Sequence, residues 1–109
     1  MFKTKKRKLK EECWNLDYEL IKWLNEHLAT YLKDSEGIID LTYYKYVYKK
    51  KEYNLKELCE IILEDTAYLL NSEMYWVNTE SPYNDYKEIE YKKNEMYDLL
   101  KMIHWHLWW

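Results

Sequence analysis

The chain has 109 residues, and a single glycine (Gly37) and a single proline (Pro82) leave too few tight-turn positions for a turn-rich β architecture and no GxGxxG or GKS/GKT loop to cradle a phosphate. That length forms one domain and buries a core without disulfide or metal, while 13 Tyr and 6 Trp supply more aromatic surface than such a core absorbs. The net charge of −3 conceals a division: Lys3, Lys5, Lys6, Arg7, Lys8 and Lys10 stand without an acid in residues 1–10, and the other 11 basic residues face 20 acids.

Residues 1–8 read as a basic, flexible arm, and 9–109 as a single helical domain. No signal peptide is expected, because the basic start runs into "LKEECWNLDYEL" and not into an apolar stretch. No window approaches the roughly 18 apolar residues of a membrane span. A cytoplasmic protein without membrane contact is the expectation.

Residues 9–33 carry the period of an amphipathic helix. Leu9, Cys13, Leu16, Leu20, Leu24 and Tyr31 fall on one side, and Trp14, Ile21, Leu28 and Leu32 widen the stripe. His27 lies on the same apolar side and reads as a hydrogen-bonded core or boundary histidine. The polar run "KDSEG" ends the helix, with Gly37 free to take a positive φ.

The segment 40–50, within "IIDLTYYKYVYKKKEY", has two readings. Its Thr, Tyr and Val favour a strand. Leu41, Tyr44, Val47 and Tyr48 equally form a helical stripe, with Asp40 as a cap and Lys49, Lys50 and Lys51 at the favourable end. A strand needs a partner, and the one candidate, "MYWVNT", continues a helix; a short helix is therefore preferred.

Residues 54–77 form the second long helix. Asn54 is a suitable N-cap and Glu57 completes a capping box. Leu55, Leu58, Cys59, Ile62, Thr66, Leu69, Leu70, Trp76 and Val77 share a face, and Glu73 falls within it. Residues 82–108 form the third, capped by Ser81 and opened by Pro82. Tyr86, Ile89, Lys93, Met96, Leu100, Ile103 and Leu107 make its inward seam. The expected fold is all-α: a small helical bundle of three long helices, about 9–33, 54–77 and 82–108, plus a short helix or strand at 40–50.

Chemistry-bearing residues are sparse. Ser35, Ser72 and Ser81 sit at helix ends and read as caps or turns. His104 and His106 point about 200° apart on a helix and cannot chelate one metal there. Cys13 and Cys59 lie on apolar faces with no CxxC spacing, as buried reduced thiols do. Pairs such as Glu64–Asp65 fit solvated helix faces. No acid, base and nucleophile converge, so no enzyme, metal or cofactor is expected.

The end of the chain, "KMIHWHLWW", is apolar almost all round. Either another segment, 40–50 first among them, covers its second side, or an apolar patch stays exposed. In the second case Trp105 and Trp109, one turn apart, anchor a protein-binding surface with Met102, His106 and Trp108. The basic residues 3–10 and Lys49–Lys51 would then meet nucleic acid or an acidic protein surface. The alternative is direct binding of single-stranded RNA or DNA, with the tyrosines of 43–53 stacking on bases.

The Lys/Tyr/Glu/Asn-rich diction of "YNDYKEIEYKKNEMYDLL", with the short length, resembles small phage or mobile-element accessory proteins, anti-CRISPR and other anti-defence proteins among them. The resemblance is compositional and carries no motif. It implies a stoichiometric inhibitor that blocks a host nucleic-acid-processing effector such as a CRISPR nuclease. Its partner would be another protein or a nucleoprotein complex, with RNA contact open and a homodimer compatible with the sequence.

Overall fold

The computed structural model describes residues 5–72 and 86–107. Lys3, Trp108 and Trp109 lie outside that range, as do the expected helical residues 73–77 and the expected cap at Ser81 and Pro82. The described chain is predominantly helical. It runs α1 (Lys5–Glu12), α2 (Leu16–Ser35), β1 (Lys45–Tyr48), β2 (Lys51–Asn54), α3 (Leu55–Leu70) and α4 (Tyr86–Ile103), then a 3-10 turn (His104–His106). It is not a clean three-helix bundle: the first helix is broken in two, and a two-stranded hairpin stands between α2 and α3.

The break comes at residues 13–15. Asn15 takes a left-handed conformation, φ 56° and ψ 49°, which Asn tolerates better than most residues. α2 therefore restarts in a new direction. Its buried residues are Ile21, Leu28 and Ser35, with Leu24, Tyr31 and Leu32 half-buried, whereas Leu9, Trp14, Leu16 and Leu20 are exposed. The broad stripe expected to be buried as one is thus divided. After α2, Gly37 adopts φ +83°, as the turn requires.

The helix expected at 40–50 is an antiparallel hairpin. Asp40 does not cap a helix; its carboxylate accepts from the Thr42 N–H at 2.9 Å and from the Thr42 hydroxyl at 2.6 Å, closing a local turn. Those two bonds hold its pKa below the usual carboxylate value. Strand pairing sets Tyr46 opposite Tyr53 and Tyr48 opposite Lys51. Tyr46 and Tyr48 turn toward the body, and Lys45 and Val47 turn out, the two-residue alternation of a half-covered strand. The partner strand is "KEYN", directly beyond Lys49–Lys50, and not "MYWVNT".

α3 is the central element, with α2 and α4 packed on it. Asn54 ends β2 and caps α3: its side chain accepts from the Glu57 N–H at 2.8 Å, and the Asn54 N–H donates to Glu57 Oε1 at 3.0 Å, so the expected capping box is present. Leu55, Leu58, Cys59, Ile62, Thr66 and Leu69 are buried along one side. α4 contributes Ile89, Met96, Leu99 and Ile103. Leu99 replaces Leu100 at the centre of that face, and Tyr86 is exposed. Among the described residues no helix is long and apolar enough to cross a membrane.

Candidate interaction surface

α4 ends at Ile103, whose side chain is buried and fixes the last turn on the core. The chain then tightens into the 3-10 turn (His104–His106); Trp109, the second expected anchor, lies outside the described residues. The tightening separates the two neighbours His106 and Trp105. The His106 ring stacks on Tyr44 with centroids 3.8 Å apart and planes 9° apart. Its Nδ1 also meets the Tyr46 hydroxyl. Trp105 points the other way and is 84% exposed.

Segment 40–50 therefore covers one side of the C-terminal end and leaves the other open. The open side is a shallow surface lined by Tyr97, Leu100, Lys101, His104 and Trp105. His104 meets the Trp105 indole edge-on, with centroids 5.0 Å apart. Of the expected anchors that are described, Trp105 is exposed. Met102 is half-buried against the core, and His106 is held by the two tyrosines.

The basic residues divide into two groups. Lys5, Lys6, Arg7, Lys8 and Lys10 lie on α1 and all are exposed; Arg7 pairs with Glu11 at 3.6 Å. Lys49 and Lys50 form the hairpin turn. Lys49 Nζ sits 4.3 Å from the centroid of Tyr91 and donates to its hydroxyl at 3.2 Å. Lys51 Nζ lies 5.2 Å from the Tyr53 ring. The tyrosine faces expected to stack on bases thus largely have partners within the chain: Tyr44 and Tyr46 take His106, and Tyr48 and Tyr53 take lysines. Tyr43 remains exposed.

Three residues differ from their expected settings. Cys13 is exposed, whereas Cys59 is buried; the break before α2 carries Cys13 off the packed face. His27, expected as a hydrogen-bonded core or boundary histidine, is exposed; it stacks 3.9 Å from Trp23 with its Nδ1 2.8 Å from the Trp23 carbonyl oxygen. Asp65, expected on a solvated face, is 0% exposed. Neither of its carboxyl oxygens has a hydrogen-bond partner, and Lys92 Nζ of α4 lies 3.6 Å away. Burial, with a smaller contribution from Glu95 beside it, pushes its pKa up to about 8, against the opposing pull of Lys92. Its neighbours one turn away, Ile61, Ile62, Tyr68 and Leu69, are all apolar, and that pattern was the available signal.

Sequence reasoning also missed an apolar groove on α2. Leu16, Leu20 and Trp23 line it, with Glu19, Lys22 and Glu26 at its edge. Comparison with known proteins gives no match to any family model, curated protein or solved structure.

Proposed function

We propose that this chain is a non-enzymatic protein-binding module whose C-terminal surface, anchored by Trp105, docks on another protein. The observation that carries this reading is the isolation of one indole, 84% exposed, on a frame fixed by Ile103 behind it and by the His106 clamp beside it. A large, preorganised aromatic next to polar neighbours is the usual make-up of a binding hot spot. The compositional resemblance to phage accessory proteins names the partner class to test first, a nucleic-acid-processing effector, with stoichiometric blockade as the mode of action.

Direct binding of single-stranded nucleic acid is the weaker reading, because four of the tyrosines that would stack on bases are engaged within the chain. One experiment separates the two. Tagged wild type and Trp105→Ala are used side by side to capture partners from the producing cells, with circular dichroism as a folding control. The expected result is a protein retained by wild type and lost by the variant. Identical captures from both, or a labelled single strand bound by the purified chain with a steep salt dependence, would overturn the proposal.

A further inference from the structure

α1 is an eight-residue helix with no substantial packing interface on another element among the described residues. Every described side chain on it is exposed, Leu9 included. Isolated helices of that length are unstable in water, so α1 needs a surface to lie on.

The α2 groove has the complementary deficit. Leu16, Leu20 and Trp23 lie within about 60° of one another around the helix, and about 120° from Ile21 and Leu28, which face α3. α2 thus has one apolar face in the core and a second face in water. The groove between these side chains has a volume of about 560 Å3.

Charge distinguishes the occupant. α1 carries five basic residues against Glu11 and Glu12, and Lys5 and Lys6 flank Leu9 at about 40° and 60° on either side. The first eleven residues of α2 carry Asp17, Glu19 and Glu26 against Lys22. Glu19 and Glu26 border the groove. A membrane of anionic lipid would meet those acids, whereas a basic helix with one apolar residue matches them.

We propose that α1 of one copy lies on the α2 groove of a second copy, and the reverse, giving a two-fold exchanged dimer. The turn at 13–15, with Asn15 left-handed at φ 56°, is the hinge about which α1 would cross to the second copy. A reciprocal exchange uses the same two surfaces on both copies and closes on itself. It fills both apolar grooves and pairs each basic helix with an acidic border. It leaves Trp105 free, so it stands or falls independently of the C-terminal surface.

The test is the mass of the full chain in solution by light scattering or sedimentation at about 100 µM, high enough to populate a dimer of micromolar Kd. Wild type is expected at twice the 13.8 kDa chain mass. Lys5→Glu with Lys6→Glu, and separately Glu19→Lys with Glu26→Lys, are each expected to run as monomers with unchanged helicity. Lys5, Lys6 and Glu26 are exposed and Glu19, at the groove edge, is half-buried; none of the four belongs to the core, so neither pair removes core packing. Mixing the two variants is expected to restore the dimer, since each reversed helix then meets a reversed groove. A monomeric wild type, a dimer indifferent to both reversals, or a monomer that instead sediments with phosphatidylserine vesicles would each overturn the proposal.

Discussion

The imidazole of His106 lies flat on the ring of Tyr44, centroids 3.8 Å apart, and its Nδ1 meets the hydroxyl of Tyr46. These contacts tie the C-terminal turn to the hairpin region and hold Trp105 on the opposite side. Tyr44→Ala removes the half-buried ring and the stack with it. The expected loss is about 1–2 kcal/mol, read as a lower urea midpoint, with faster amide exchange at 104–107. Tyr43→Ala is the control: its ring is exposed and meets Tyr44 edge-on, centroids 5.2 Å apart, so its removal leaves the stack on His106 in place. Equal effects from the two would show that the stack contributes nothing specific.

The hairpin turn carries backbone strain. Lys49 and Lys50 have φ of 50° and 68°, the pair of positive values that a two-residue turn of this type requires and that Asn-Gly ordinarily supplies. Lys50→Gly relieves the second. A gain of about 0.5–1 kcal/mol is expected, since the relief is partly offset by the greater freedom of glycine in the unfolded chain. Lys49→Gly should gain less, because it also gives up the contacts of Lys49 with Tyr91. Thermal melts of both variants check the order, and destabilisation by Lys50→Gly would contradict it.

That turn also explains why the hairpin was hard to read. Two lysines give no turn signal, so "KYVY" and "KEYN" look like one continuous basic, tyrosine-rich run. The parts that were legible rest on local chemistry: the Asn54–Glu57 box, the apolar side of α3, and Gly37 after α2. The parts that were not depend on direction in space. An apolar stripe running through Leu9, Cys13 and Leu16 looks continuous until Asn15 turns the chain. The C-terminal surface was half legible. An excess of indoles pointed to an exposed one, but only the 3-10 turn decides that His106 goes inward and Trp105 outward.

The two thiols should differ sharply in reactivity. Cys13 is exposed in the inter-helical turn, whereas burial pushes the Cys59 thiol up to about 12, where the reactive thiolate is scarce. A chromogenic disulfide reagent at pH 8 is expected to titrate one thiol per native chain rapidly and the second only in denaturant. Cys13→Ser should abolish the fast phase and leave stability within about 0.5 kcal/mol. A fast phase that survives Cys13→Ser would place Cys59 within reach of solvent.

Asp65 gives a pH dependence of defined sign. Its carboxyl is enclosed between α3 and α4, faced by Lys92 and Glu95, with both oxygens lacking hydrogen bonds. The folded pKa of about 8 exceeds the ordinary value of 3.8. Below about pH 4 the group is protonated in both folded and unfolded chains and imposes no ionisation penalty. Between 4 and 8 the unfolded chain releases the proton while the folded chain keeps it, so the contribution of this group to stability falls as pH rises. Above 8 both forms are ionised and the slope ends. Asp65→Asn removes the titration while keeping the shape. It should stabilise the chain by about 2 kcal/mol at pH 8, a figure reduced from the full shift because Lys92 reaches water and screens the charge. The advantage should shrink steadily toward pH 4. Urea unfolding of both chains across that range supplies the measurement. An advantage constant with pH would mean that Asp65 is already ionised in the fold and that Lys92 alone satisfies it.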